Sequence, residues 1–204
     1  MKEFWDERYS QDQFAYGEEP NLFVKEKLPQ FKTGKILFPA EGEGRNSVFA
    51  AQLGWDVSAF DFSSKGKERA DELARSKNVR IDYKLASFLE EAYQEEEFDA
   101  ICMTFVHFDP KIKSSMHKRL DSYLKPGGHI IFEAFSKEHR EINKLHPEAG
   151  GPSDEKYMYS IEEIERDFDN YEIIELKKEL VHLNEGFGHV GESSLIRFIG
   201  RKKD

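Results

Sequence analysis

Five short apolar runs, each separated from the next by a stretch with helical spacing, constrain the fold of this chain more than any other feature. They are KILFP (35–39), DVSAFD (56–61), VRIDYK (79–84), FDAICMTF (98–105) and HIIFEAF (129–135). Runs of this length and composition read as strands. Between them, RNSVFAAQLG, SKGKERADELARSK and KIKSSMHKRLDSYLK read as helices, with Gly54, Gly127 and Gly128 placed to end them. Strands that alternate with helices imply βαβ units, right-handed crossovers and a mostly parallel sheet. Beyond residue 135 the pattern changes. Residues 136–157 are polar and read as a loop through HPEAGGPSD, and SIEEIERDF (160–168) opens on a Ser160/Glu163 capping box. Two more strands, YEIIELKKELVHL and SSLIRFIGRKK, are joined by NEGFGHVGE, too short for a parallel crossover, so they form an antiparallel pair.

With 204 residues and no internal repeat or low-complexity linker, the chain is expected to form a single domain, 1–204. Its formal net charge of −10 argues against a nucleic-acid partner, which calls for a basic stripe. The lone cysteine, Cys102, excludes an internal disulfide and points to a reducing, cytoplasmic setting; inside an apolar strand it reads as a buried, inert thiol. No apolar run reaches the ~18 residues of a membrane helix, and MKEFWDERYS lacks a signal-peptide core, so no membrane association is expected. The histidines show no HExxH spacing and no paired cysteines accompany them, so no metal is expected. The acidic run EEAYQEEEF (90–98) reads as a solvated face.

Chemistry concentrates in LFPAEGEGRN (37–46). Glycines one residue apart after a strand let backbone approach a ligand, and Asp61, closing the next strand 19 residues after Gly42, suits a ribose diol. A P-loop would need Lys and then Ser or Thr where Arg45-Asn46 stand. A dinucleotide site prefers glycine or alanine where Ser47 stands, without demanding it. S-adenosylmethionine needs the ribose acid but has no pyrophosphate, which relaxes that requirement. The turn by itself also fits a helix merely packing on a sheet.

FDAICMTFVHF, then LKPGGHIIFEAF, then a helix and a terminal strand pair resemble the class I S-adenosylmethionine-dependent methyltransferases. The resemblance implies a Rossmann-like three-layer α/β sandwich with a seven-stranded, mostly parallel sheet whose last strand is antiparallel. FWDERYSQDQFAYGEEPNLF, with AEGEGRN, EAF and GGPSD, narrows it to small bacterial enzymes similar to the tellurite-resistance B protein and the thiopurine methyltransferases, over residues 4–202. It implies S-adenosyl-L-methionine as donor, S-adenosyl-L-homocysteine as product, and a small-molecule acceptor such as a thiol or a selenium or tellurium oxyanion. It further implies that residues 1–30 cover the cofactor on a 31–204 core. By the same resemblance Ala40, Glu41, Gly42 and Gly44 lie beneath the methionine part, and a side chain at Gly44 is expected to fill the ligand's space. The acid usual at the end of the first strand is replaced by Phe38-Pro39, leaving Glu41 the nearest acid for the amino group. Asp61 matches the ribose acid and Phe62 the adenine flank. In LASF, Ser87 stands where an acid often binds the adenine amino group, beside Phe88, and Thr104 opens the floor TFVHF. Trp5, Arg8, Tyr9, Phe14, Tyr16 and Gly17 match the covering segment, whose aromatic faces suit a sulfonium and whose arginine suits a carboxylate.

Methyl transfer is an in-line displacement, so alignment and exclusion of water come first. An anionic acceptor needs no base, whereas an alcohol or amine does. Candidates to take a proton are His107, Glu133 and His189, with Glu185 beside them. A nicotinamide-dependent oxidoreductase and a cofactor-binding module without transfer activity are the competing expectations.

Overall fold

The computed structural model describes residues 2–204. Its strands are β1 (Lys35–Pro39), β2 (Asp56–Asp61), β3 (Asp82–Leu85), β4 (Phe98–Thr104), β5 (Leu124–Phe135), β6 (Tyr171–Glu185) and β7 (His189–Lys202). Its helices are α1 (Lys2–Tyr9), α2 (Leu22–Lys27), α3 (Arg45–Gln52), α4 (Ser64–Ser76), α5 (Lys113–Tyr123), α6 (His139–Leu145) and α7 (Ile161–Asp167). The strands form one seven-stranded sheet in the order β3-β2-β1-β4-β5-β7-β6. The first five pair in parallel, and β7 runs antiparallel to both β5 and β6. This is the Rossmann-like methyltransferase architecture, with the last strand reversed as expected.

Side-chain alternation along each strand divides the core into two faces. In β1, Ile36 and Phe38 pack with Phe23 of α2, Ala50 of α3 and Ala70 of α4, whereas Leu37 belongs with Met116 and Leu120 of α5 and Ile164 of α7. Cys102 is buried on the first of these faces, where burial raises its thiol pKa well above the ordinary value. Among the described residues, no helix is long and apolar enough to cross a membrane.

The chain departs from its pattern in four places. Val79 lies outside β3: Asn78 takes a left-handed φ of 58° and the Val79 amide bonds back to Ala74 O, so this segment caps α4. Gly127 and Gly128 end no helix. The register jumps from Phe98↔Leu124 to Ala100↔His129, and both glycines sit in the bulge that absorbs the surplus residues. Residues 136–157 hold α6 and two short 3-10 turns, which the polar composition hides because His139 is the only buried residue of α6. Finally, β6 and β7 run on through most of NEGFGHVGE, leaving a turn of only three residues, 186–188, closed by the pair Glu185↔His189.

The capping box of α7 forms as read, Ser160 Oγ accepting from the Glu163 amide and Glu163 accepting from the Ser160 amide. One turn further, Asp167 is buried against α5. It accepts from His117 Nδ1 at 2.8 Å and Ser114 Oγ at 3.0 Å, inside an aromatic wall of Phe108, Tyr159 and Phe168. Burial pulls its carboxyl upward, but His117, Ser114 and Arg166 prevail and hold it at about 2, below the ordinary 3.8. Between those two values the unfolded chain binds more protons than the folded one. The stabilisation is therefore complete above about pH 4 and lost as pH falls toward 2. Acid unfolding followed by circular dichroism is expected to lose less stability across that window in Asp167→Asn than in the unaltered protein.

Candidate functional site

The glycine turn follows β1 and is fixed from three sides. Ala40 adopts a left-handed φ of 50° and Gly42 one of 60°. The Gly42 amide donates to Asp61 Oδ2 at 3.1 Å, and its carbonyl accepts from Tyr83 Oη at 2.6 Å. Asp61 Oδ1 also accepts from the Ser63 amide at 2.8 Å. Helix α3 then starts with Gly44 at its N-cap, which offers no side chain, so Glu41 substitutes: its Oε1 accepts from the Asn46 and Ser47 amides at 3.1 and 2.6 Å. Burial is the leading influence on all three acids of this turn. It pushes Glu41 and Glu43 up to about 7 and Asp61 up to about 6, against backbone amides that oppose it. Glu43 Oε1 is buried without a hydrogen-bond partner.

The N-terminal segment lies directly on this turn. Asp6 of α1 accepts from Ser63 Oγ at 2.6 Å, docking the helix on the start of α4. The Tyr9 ring covers Gly42 so closely that a Cβ there would stand 2.6 Å from its hydroxyl, and Trp5 stacks on Tyr9 with centroids 5.4 Å apart. Arg8 donates to Tyr16 Oη at 3.0 Å and lies over Phe4 and Trp5. Glu43 Oε2 accepts from the Ala15 amide at 2.8 Å.

Behind the turn runs a buried polar network. Asn21 Nδ2 donates to Glu133 Oε1 at 2.6 Å and to Glu185 Oε1 at 3.1 Å, while its Oδ1 caps α2. Arg197 Nε holds Glu133 Oε2 at 2.5 Å, and Arg45 Nη2 holds Glu185 Oε2 at 2.9 Å. Asn46 accepts from the Asn21 amide and donates to Thr104 Oγ1, each at 2.9 Å. Glu133 is therefore not the open base expected from its place at the end of β5: it is fully buried and both its oxygens are engaged.

The adjoining edge is aromatic. Phe105, with a left-handed φ of 55°, meets Phe135 at 4.9 Å and His189 at 4.5 Å; Tyr16 meets His189 at 4.4 Å. His107 stacks on Phe135 at 6.2 Å with its Nδ1 buried and unpartnered; burial, with His189 nearby, lowers its pKa to about 3. His139 is spent structurally. Its Nδ1 accepts from the Ser194 amide, so Nε2 carries the proton given to Gly150 O.

The expected residues thus gather on one edge, with differences of detail. Ser87 is turned to Glu90, which accepts from its hydroxyl at 2.7 Å, and Phe88 packs between Phe60 and Phe108 while Phe62 is half-buried. Asn21, Asn46, Tyr83 and Arg197 were not singled out from the sequence. Only Asn46, inside the glycine motif, carried a local signal. Among the described residues no group of three metal-ligating side chains converges. A surface cavity of about 280 Å³ beside Trp55, Arg80 and Asp82 lies at the opposite ends of β2 and β3.

Residues 36–128 match the family model of a methyltransferase domain. No curated protein matches the chain. Solved structures similar in fold include one describing the conversion of a disulfide bond into a thioacetal group during echinomycin biosynthesis (18% identity, 100% of this chain and 92% of that one, TM-score 0.77). TehB from Haemophilus influenzae aligns at 19% identity over 99% of this chain and 67% of its own, with a TM-score of 0.73. The 1,6-didemethyltoxoflavin-N1-methyltransferase of Burkholderia thailandensis, with bound 1,6-didemethyltoxoflavin and S-adenosylhomocysteine, aligns at 16% over 85% of this chain and 72% of that one, with a TM-score of 0.60.

The two glycines of the turn divide their work. Gly42 faces the covering segment, but a Cβ at Gly44 would stand 2.6 Å from Ala70 Cβ, in the contact between α3 and α4. The missing side chain at Gly44 thus makes room for a helix and not for a ligand, contrary to expectation. Gly44→Val combines overpacking with a φ of 83° and is expected to cost about 2–5 kcal/mol in urea unfolding. A loss below about 0.5 kcal/mol, the scale of a neutral surface change, would contradict this role.

Proposed function

We propose that this chain, a methyltransferase with S-adenosylmethionine as its methyl donor, passes the methyl group to a small-molecule acceptor at the edge formed by β4, β5 and the β6–β7 hairpin. The observation that carries the placement is the set of acids Glu41, Glu43 and Asp61, all raised by burial, around the glycine turn. Carboxyls raised by burial gain from a cation. S-adenosylmethionine, when bound, supplies a methyl group on a cationic sulfonium and brings a cationic amino group with it.

In this reading Asp61 takes the ribose hydroxyls, Ala40, Glu41 and Gly42 line the methionine part, and Thr104 forms the floor. Phe62, Ser87 and Phe88 border adenine. Gly44 supports the turn from behind. Residues 1–30 cover the cofactor on a single catalytic unit with 31–204, Trp5, Arg8, Tyr9 and Tyr16 forming the inner surface. Entry requires Tyr9 to swing off Gly42, because their contact leaves no space for a ligand. The net charge of −10 favours a small acceptor over nucleic acid. A thiol, or a selenium or tellurium oxyanion, is our choice: polarizable chalcogens suit a ring-lined edge, and the resemblance to the tellurite-resistance B protein leans the same way. The neighbours concerned with echinomycin and 1,6-didemethyltoxoflavin also handle small molecules. We place the enzyme in the cytoplasm on its single buried cysteine.

Titration calorimetry with S-adenosylmethionine, S-adenosylhomocysteine and NAD tests this. A protonated acid attracts no cation. Affinity for S-adenosylmethionine is therefore expected to rise as pH increases through about 6 to about 7, with protons released on binding. Asp61→Ala is expected to cost about 1.5–3 kcal/mol of affinity. Binding of NAD alone would overturn the reading, and so would binding of S-adenosylmethionine that ignores both pH and Asp61. Binding without turnover on any acceptor would favour a module that has lost transfer activity.

A further inference from the structure

The tip of the β6–β7 hairpin is pressed against the covering segment. A Cβ at Gly186 would collide with Ala15 O, and one at Gly188 with the Tyr16 ring; the Gly188 amide donates to Ala15 O at 2.8 Å. Both glycines of EGFGH thus serve a backbone-to-backbone contact. The contact fixes the cross-strand pair beside it, Glu185 and His189, in which His189 Nδ1 lies 3.2 Å from Glu185 Oε2. A carboxylate on one ring nitrogen places the proton there and leaves a lone pair on the other.

The charged and titratable groups around this pair favour that state. Arg45 of α3 holds Glu185 at 2.9 Å, and Asn21 donates to its other oxygen. Burial would raise the Glu185 carboxyl, but His189 and Arg45 hold it at about 2, so it stays ionised. For His189, burial is the largest influence and lowers its pKa; Arg45 and Arg8 of α1 add to this, while Glu185 opposes. His107, beyond β4, is neutral and shares the Phe135 ring with it. Glu133 of β5 is screened behind Asn21 and Arg197, and Tyr16 lies on the ring. The imidazole is therefore uncharged near neutrality, with aromatic rings against it.

Resting on the methyltransferase reading above, we propose that His189 is the catalytic residue that takes the acceptor's proton, that Glu185 is its positioning residue, and that the acceptor is a flat apolar molecule whose nucleophile arrives protonated. A neutral thiol calls on the base of this edge, whereas a selenium or tellurium oxyanion has no need of one. In the step, the S–H proton of the acceptor passes to His189 Nε2, and the electron pair left on that sulfur forms the bond to the methyl carbon. The donor sulfur keeps the pair of the bond that breaks, and the imidazolium formed is held by ionised Glu185. Tyr16 and Asn21 both belong to the covering segment, so its closure completes the base.

Imidazole nitrogen NMR on the ligand-free protein reads the dyad without turnover. His189 is expected as the neutral Nδ1–H tautomer at pH 7, and Glu185→Gln is expected to lower its pKa. The Nε2–H tautomer, a cation at pH 7, or a pKa unmoved by Glu185→Gln overturns the proposal. Transfer to benzyl mercaptan and to 4-nitrothiophenolate then separates base from scaffold. His189→Gln is expected to lose about 10²–10⁴-fold on the thiol and under tenfold on the thiolate, with S-adenosylhomocysteine affinity retained. Equal losses on both acceptors, no loss on the thiol, or failure of the unaltered protein to methylate benzyl mercaptan overturns it. Absence of S-adenosylhomocysteine binding in the unaltered protein would instead remove the methyltransferase reading on which it rests.

Discussion

One asparagine amide holds together the edge at the C-terminal ends of β4 and β5. Asn21 gives its two N–H groups to two buried carboxylates, Glu133 and Glu185, each already paired with its own arginine. Two carboxylates this close repel, and in a buried setting each needs a full set of donors. Asn21 supplies the shared donor, and its carbonyl still caps α2. The arrangement ties together the covering segment, α3, β5, β6 and β7, so the place of the N-terminal residues is set by the core of the sheet and not by surface contact.

The same edge carries backbone in conformations that side chains disfavour. Ala40 and Phe105 take left-handed conformations just past β1 and β4, as Gly42 does in the turn between them. Such positions persist only when their surroundings over-determine them. Here Asp61 and Tyr83 hold the turn, and the Phe105 amide is held by Glu133 O at 2.8 Å. This is the C-terminal edge of a parallel sheet, where ligands of open α/β folds gather. The opposite edge, near Trp55 and Arg80, has a cavity whose acids, Asp56 and Asp82, are exposed.

How far the sequence discloses this depends on the range of the interaction. Strands β1, β2 and β4, the antiparallel hairpin and the Ser160 capping box are local patterns of alternation, turn length and capping, and they read directly. Asp61 reads because it follows the glycine turn at a fixed interval. Asn21, Tyr83 and Arg197 do not, since each acquires its meaning from partners 41 to 164 positions away. Glu133 reads as an acid on the ligand edge, either a base or a paired group, but its partner Arg197 does not read because it lies on another strand. Gly44 misled for the same reason: its neighbour Ala70 lies on α4, and nothing in AEGEG reveals that contact. Gly127 and Gly128 were misplaced because a bulge inside β5 uses the same residue type as a helix end.

The most direct test of the central claim is a crystal structure of the protein with S-adenosylhomocysteine. The ligand is expected between Gly42, Asp61 and Thr104, its ribose on Asp61, its sulfur turned toward His189, and Tyr9 displaced from Gly42. A ligand bound elsewhere, or one that leaves Tyr9 seated on the glycine turn, would contradict the claim.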